Sequence, residues 1–178
     1  NGSIASRSVA FSDGGFKVWN VTCLDDSRNF NLSLTRNFTL SFPPRINLTN
    51  PANNTWFNIS QITFYYNATD SNNNIANSTF MLNGQVNTTN QSAVINGNIN
   101  NFTLTLADGA YNWNVNATDL TNLKGTDTQR TVYVDTLLPN ITLNFPQQGA
   151  NLTVNNITFN FTVIDNMDLN IICNITVD

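Results

Sequence analysis

Residues Asp108–Asp119 read D-G-A-Y-N-W-N-V-N-A-T-D, and this stretch decides the fold. Tyr111, Trp113, Val115 and Ala117 alternate with Asn112, Asn114 and Asn116. A period of two puts an aromatic and aliphatic stripe on one face and amides on the other. That is the pattern of an antiparallel strand with one buried and one wet side. Asp108-Gly109 precedes it as a turn, where glycine takes a positive φ without steric cost. The same phrase stands earlier, at Asp13–Asp25, as D-G-G-F-K-V-W-N-V-T-C-L-D. There Trp19, Val21 and Cys23 share one face, while Lys17, Asn20 and Thr22 do not fit it. Two copies of one strand make a repeat.

Working outward, a second phrase also occurs twice. Pro44–Pro51 reads P-R-I-N-L-T-N-P, and Pro139–Pro146 reads P-N-I-T-L-N-F-P. The pairs Ile46/Ile141, Leu48/Leu143, Ile62/Ile157, Phe64/Phe159, Tyr66/Phe161, Ala68/Val163 and Asp70/Asp165 keep one offset of about 95 residues, as repeat architectures do. Between the two phrases, strands are expected at Ile62–Asp70, Ser78–Leu82, Val94-Ile95, Phe102–Leu106 and Arg130–Val134, with a tight turn at Asn83-Gly84. Ahead of them, strands are expected at Ser8–Phe11 and Phe16–Cys23, and Phe38, Leu40 and Phe42 alternate with polar neighbours. No useful length follows a helical period. The chain is therefore all-β, with strand spacing that indicates sandwiches.

The offset also sets the boundaries. Residues 43–137 form one complete unit, 1–42 the second half of a unit, and 138–178 the first half of one. Read from end to start, Asp178 followed by Asn1-Gly2 matches the internal Asn83-Gly84 turn. The C-terminal half is thus expected to complete a sandwich with 1–42 of the next copy. Either one long polypeptide repeats, or separate subunits complement one another. Burying about eight inward side chains gives a gross gain of ~12–24 kcal/mol, an upper figure. Association costs ~4–15 kcal/mol.

Composition narrows the classes. Hydrophobic residues make up 40% and aromatic ones 11%, enough for a core, whereas charged residues are only 10%. Histidine and glutamate are absent, and asparagine fills about one position in five. A net charge of −4 with seven scattered Lys and Arg offers no nucleic-acid footprint. Asn-x-Ser/Thr occurs about eighteen times. Candidate acceptors are Asn20, Asn31, Asn37, Asn47, Asn53, Asn58, Asn67, Asn77, Asn87, Asn90, Asn101, Asn116, Asn140, Asn151, Asn156, Asn160 and Asn174. Chance supplies about half of these in so Asn-, Ser- and Thr-rich a chain. Many fall on polar strand positions, which glycans require and which polar residues occupy anyway. N-linked glycans would keep a charge-poor surface soluble and imply an extracellular setting. No apolar run reaches membrane-spanning length.

Two cysteines add a link. Cys173 lies opposite Ser78 and Cys23 opposite Ala117 in the repeat alignment. Within one copy they belong to different sandwiches; across the junction they share one, about 28 residues apart, where loop closure is worth ~3.6 kcal/mol. A disulfide there fits an oxidising compartment. The alternative is two inert buried thiols. Without His or Glu, common general bases are missing, and no catalytic residue is assigned. Asp25-Asp26 and Asp165/Asp168 read as solvated turns. Calcium at Asp70, Asp165 or Asp168 has oxygen donors in its favour but no EF-hand spacing. Trp19 and Trp113 belong to the core, and Trp56, in a loop, is the candidate exposed platform. Tyr111 stands where a tyrosine corner would.

These motifs resemble the tandem immunoglobulin-like repeats of bacterial and, especially, archaeal cell-surface proteins. The resemblance rests on Asp13–Asp25, Asp108–Asp119 and the run Asp135–Pro146. It implies tandem immunoglobulin-like sandwiches, one complete and two complementary halves. It also implies a non-enzymatic structural role in a filament or surface-layer stalk on the cell surface, with copies of the chain as head-to-tail partners and no cofactor. An adhesin or carbohydrate-binding module, and the accessory region of a secreted enzyme, are the rival readings. The chain departs from the pattern at Ser78 and Ala117, so the complete unit should lack a bridge, and its 119–125 loop is irregular.

Overall fold

A computed structural model describes residues 4–90, 94–168 and 170–177, and among them every regular element is a strand. In chain order these are β1 (Gly15–Trp19), β2 (Thr22–Leu24), β3 (Phe30–Leu32), β4 (Arg36–Leu40), β5 (Arg45–Asn50), β6 (Thr55–Phe57), β7 (Gln61–Thr69) and β8 (Ile75–Leu82). They continue as β9 (Gln85–Asn90), β10 (Ile99–Thr105), β11 (Gly109–Asp119), β12 (Lys124–Thr126), β13 (Arg130–Val134), β14 (Asn140–Phe145) and β15 (Asn160–Ile164).

β5 to β13 build an immunoglobulin-like sandwich. One sheet has the order β10-β7-β5, and the other β6-β13-β11-β8-β9 with β12 beside β11. Pro51 follows β5 and ends it, because proline has no N–H for the ladder. The chain then changes sheet, and β6 runs parallel to β13. Alternation along the two central strands supplies the core. Ile62, Phe64, Tyr66 and Ala68 from β7 meet Trp113, Val115 and Ala117 from β11, all buried. Phe64 and Trp113 lie 4.8 Å apart between ring centres, with Phe80 against both. The Tyr111 hydroxyl donates to the Ala107 carbonyl at 3.1 Å, which makes the corner its position suggests. The Arg130 guanidinium donates to the carbonyls of Leu48, Thr49 and Pro51 and fastens the end of β5 to the opposite sheet.

The flanking segments repeat the ladders of this sandwich residue for residue. Gly15↔Leu40 through Trp19↔Arg36 reproduce Gly109↔Val134 through Trp113↔Arg130. Thr22↔Leu32 to Leu24↔Phe30 reproduce Asn116↔Thr126 to Thr118↔Lys124. Asn140↔Ile164 through Phe145↔Asn160 reproduce Arg45↔Thr69 through Asn50↔Tyr65, including the irregularity before the last pair. The junction between residue 42 and the complete sandwich is tight. A Cβ on Gly125 would sit 1.6 Å from the Pro44 carbonyl oxygen, and one on Gly14 2.3 Å from Ser71 Oγ. Only glycine lets the backbones of Gly125 and Pro44 approach, whereas the nearest atom facing Gly14 is a side-chain hydroxyl that can turn aside.

Several expectations need correction, and most corrections share one cause. Ser8–Phe11 forms no strand, and Phe16–Cys23 is two short strands interrupted at Asn20-Val21. Their counterparts are β10, which pairs with β7, and the middle of β11, which pairs with β8. Counterparts of β7 and β8 lie at 156–164 and 170–177, in the other terminal half. Without that partner Val21 turns both its N–H and its carbonyl to Ser33. β15 likewise lacks the residues whose counterparts pair only with β10, and 170–177 forms no ladder. Each strand missing from a terminal half is one whose partner belongs to the other half. Trp56 lies in β6 rather than in a loop, and polar β9 and the β12 hairpin carry no alternation that marks them in the sequence.

Candidate assembly interface

The inner faces of the two terminal halves are open. Leu48, Phe64 and Trp113 are at most 1% exposed, whereas their counterparts Leu143, Phe159 and Trp19 are 79%, 41% and 47% exposed. Trp19 is thus not a core residue of a lone chain. The C-terminal half carries a concave apolar surface of about 440 Å³, lined by Ile141, Leu143, Phe159, Phe161, Cys173 and Ile175 among others. The whole chain exposes 13280 Å². A compact protein of this mass exposes about 8,600 Å².

Cys23 and Cys173 are both free and exposed, on opposite terminal halves. Their counterparts Ala117 and Ser78 are direct partners across the β11–β8 ladder, and both are buried. Facing residues of antiparallel strands have Cα atoms ~4.5–5.5 Å apart. That falls within the ~4.4–6.8 Å range a disulfide spans. The neighbouring residues change in step. In the complete unit Ser78 Oγ shares a hydrogen bond with the Tyr66 hydroxyl. At the other copy of the site Cys173 replaces Ser78, and Phe161, without a hydroxyl, replaces Tyr66. Asp178, Asn1 and Gly2, which would form the turn across the junction, lie outside the described residues.

None of the seventeen candidate glycan acceptors named above is buried; Asn67, Asn77, Asn90 and Asn116 are half-buried and the others exposed. Asn100 is buried, but it is not in a sequon, and its amide instead holds the backbone of Ile95 and Asn98. Asn67 donates to the Gly97 carbonyl at 3.0 Å, so a glycan there must accommodate that contact.

The aspartates act on loops. Burial pushes the Asp119 carboxyl up, but hydrogen bonds from Thr121 and Leu123 outweigh it and hold the group below the usual carboxylate range. Asp165 is lowered by the N–H groups of Met167 and Asp168, and Asp25 by Asn29. Trp56 stacks on Tyr133 at 4.5 Å and 14°, and remains half-exposed. Among the described residues no group of three His, Cys, Asp or Glu is placed to hold a metal, and no helix is long and apolar enough to cross a membrane.

No family model and no curated protein sequence matches the chain. The solved structures similar to parts of it include two all-β modules. The fibronectin(III)-like modules of Clostridium thermocellum CbhA align with a TM-score of 0.44 at 18% identity, over 66% of this chain and 62% of theirs. The PKD domain of an M14-like peptidase from a Thermoplasmatales archaeon aligns with a TM-score of 0.40 at 22% identity, over 53% of this chain and 97% of its own.

Proposed function

We propose that this chain is a structural repeat unit of an extracellular filament or surface-layer stalk, assembled head to tail and without catalytic activity. One observation carries the reading. Both terminal halves keep the ladder registers of the complete sandwich, and each lacks the strands whose partners the other half holds. Residues 138–177 of one copy and 1–42 of the next are therefore complementary.

In the joint sandwich 170–177 pairs with the strand 15–25, and 156–164 with 5–11. Arg36 takes the place of Arg130 and meets the carbonyls of Leu143, Asn144 and Pro146. Cys23 faces Cys173. The exposed fractions of Trp19, Val21, Phe38, Ile141, Leu143 and Phe159 together equal about three whole side chains. Their burial is worth ~5–9 kcal/mol, less than the sequence alone suggested because the lone halves already cover part of each side chain. That overlaps the ~4–15 kcal/mol cost of association. Paired strands and a disulfide add to the favourable side. A contact between two different surfaces does not close on itself, so it propagates as a line.

Electron microscopy of the oxidised chain tests this. Strings with one complete and one composite sandwich per copy support it; uniform single particles at micromolar concentration contradict it. Boiling natural material in detergent with reductant then separates subunits, which fall to one unit, from a continuous polypeptide, which stays long. A second reading, a carbohydrate-binding surface, draws on the half-exposed Trp56 backed by Tyr133. Sugar-dependent quenching of tryptophan fluorescence that is lost in Trp56→Ala supports that reading, and quenching unchanged in that variant contradicts it.

A further inference from the structure

The loop between β7 and β8, Asp70–Asn74, reads D-S-N-N-N and sets one carboxylate and two amides at alternate positions. Asp70 Oδ1 accepts the Asn72 N–H at 2.8 Å, while Oδ2 is buried without a partner. Asn72 Nδ2 donates to the Leu40 carbonyl at 3.3 Å and to Ser41 Oγ at 3.2 Å, which fixes the orientation of its amide. Asn72 Oδ1 and Asn74 Oδ1 are also buried and unpartnered. Three of the five such atoms among the described residues thus lie in one five-residue loop, and all three are acceptors. Asp119 adjoins them. Its Oδ2 has only Ser41 Oγ, at 3.4 Å, and the Leu120 N–H donates to the Asn74 carbonyl at 2.9 Å.

Asp70 is 7% exposed and Asp119 1%, and among the described residues the one ion pair is Lys17–Asp13, elsewhere. Buried carboxylates are ordinarily paired with a cation or bound to a metal. A donor set made only of oxygens selects a hard cation, and although the loop lacks the full EF-hand spacing, Asp70, Asn72 and Asn74 match the spacing of its first three ligands. Ile75 and Met81 stand where that loop would continue with Gly and Glu, so the remaining ligands must come from elsewhere. We propose that this loop is a Ca²⁺ site, with Asp70 Oδ2, Asn72 Oδ1 and Asn74 Oδ1 as ligands and Asp119 as the second carboxylate, direct or through water. Leu40 and Ser41 of the N-terminal half accept from Asn72 Nδ2, so one ligand of the ion also holds that half. At the corresponding loop of the C-terminal half Met167 replaces Asn72 and Leu169 replaces Asn74, so each copy has one site. Asp165 there has Oδ1 capped by two backbone N–H groups. The proposal does not depend on head-to-tail assembly.

Calorimetric titration of the EDTA-stripped full chain with CaCl₂ tests it. One site per chain is expected, in the ~10⁻⁴–10⁻³ M range of extracellular modules, with Mg²⁺ weaker. Asp70→Asn keeps the acceptor for the Asn72 N–H and removes the charge, and should weaken binding by about tenfold or more. In EDTA this variant should melt no lower than the parent, while losing the calcium-dependent rise in Tm. Asn74→Ala, at a half-buried residue, should also weaken binding with the near-ultraviolet dichroism of the chain unchanged. Absence of saturable heat would overturn the proposal. So would unaltered titration in both variants, or an Asp70→Asn chain that melts lower than the parent when neither responds to calcium.

Discussion

The hydrogen bond between Tyr66 and Ser78 offers the sharpest perturbation of the core. Both side chains are fully buried, and the phenol and hydroxyl meet at 2.5 Å between β7 and β8. Burial pushes the phenol up despite the Ser78 hydrogen bond, so it stays neutral and donates or accepts as a hydroxyl. Tyr66→Phe strands Ser78 Oγ in an apolar core, which costs about 1–3 kcal/mol. Ser78→Ala strands the phenol at a similar cost. Making both changes removes donor and acceptor together, and replacing both partners by apolar groups is close to neutral. The cycle should therefore show a coupling of about 1–3 kcal/mol rather than additivity. For a domain near this size each kcal/mol moves Tm by about 4–8 °C. Each single variant should fall by at least ~4 °C, with the double variant recovering most of the loss. Thermal and urea melts followed by near-ultraviolet dichroism supply the numbers. Additive losses, or a neutral Tyr66→Phe, would refute the argument that Phe161 and Cys173 together replace this pair at the other copy of the site.

Three further outcomes are expected. Arg130→Ala frees the carbonyls of Leu48, Thr49 and Pro51 and should cost about 1.5–3 kcal/mol; Arg36→Ala should leave the melt of the isolated chain unchanged and weaken only self-association. The folded pKa of Asp119 lies below its unfolded value of ~3.9, so its contribution is present above that pH and lost as pH falls through the folded value. Asp119→Asn should accordingly be destabilising at pH 7 and flatten the stability profile below pH ~4 in acid melts. Intact mass of natural material should exceed 19.7 kDa per unit through glycans on exposed acceptors such as Asn140 and Asn160; a mass equal to the bare polypeptide excludes them.

Much of the fold was readable because alternation of apolar and amide residues is a direct image of a half-buried strand. On that ground Trp113, Val115 and Ala117 point inward, and all three are buried; the offset between Ile46 and Ile141 is the ground for reading the terminal segments as partial units. Alternation says nothing about whether a strand finds a partner, which is why Ser8–Phe11 and Asn20-Val21 read as strand in the sequence and are not strand in the structure. β9, reading Q-V-N-T-T-N, is nearly all polar and has no apolar face to reveal it. Trp56 reads as a loop residue from sequence because the three residues of β6 are too few to show a period. The alternate Asp70, Asn72 and Asn74 were visible in the sequence, but Asn-rich composition hid them; their unsatisfied buried oxygens set them apart from the other asparagines.

We propose that the two terminal halves recognise each other in one register. Two single-cysteine chains test it directly: Cys23→Ser, which keeps Cys173, and Cys173→Ser, which keeps Cys23. Mixed under a small-molecule disulfide oxidant, they should cross-link to each other faster than either does to itself, and the linked peptide should join Cys173 of one chain to Cys23 of the other. Each bridge consumes one molecule of oxidant and releases two small thiols. Arg36→Ala in the Cys23-bearing chain should slow the reaction. Cross-linking at equal rates in all three combinations, or bridges only between like cysteines, would contradict the complementary sandwich.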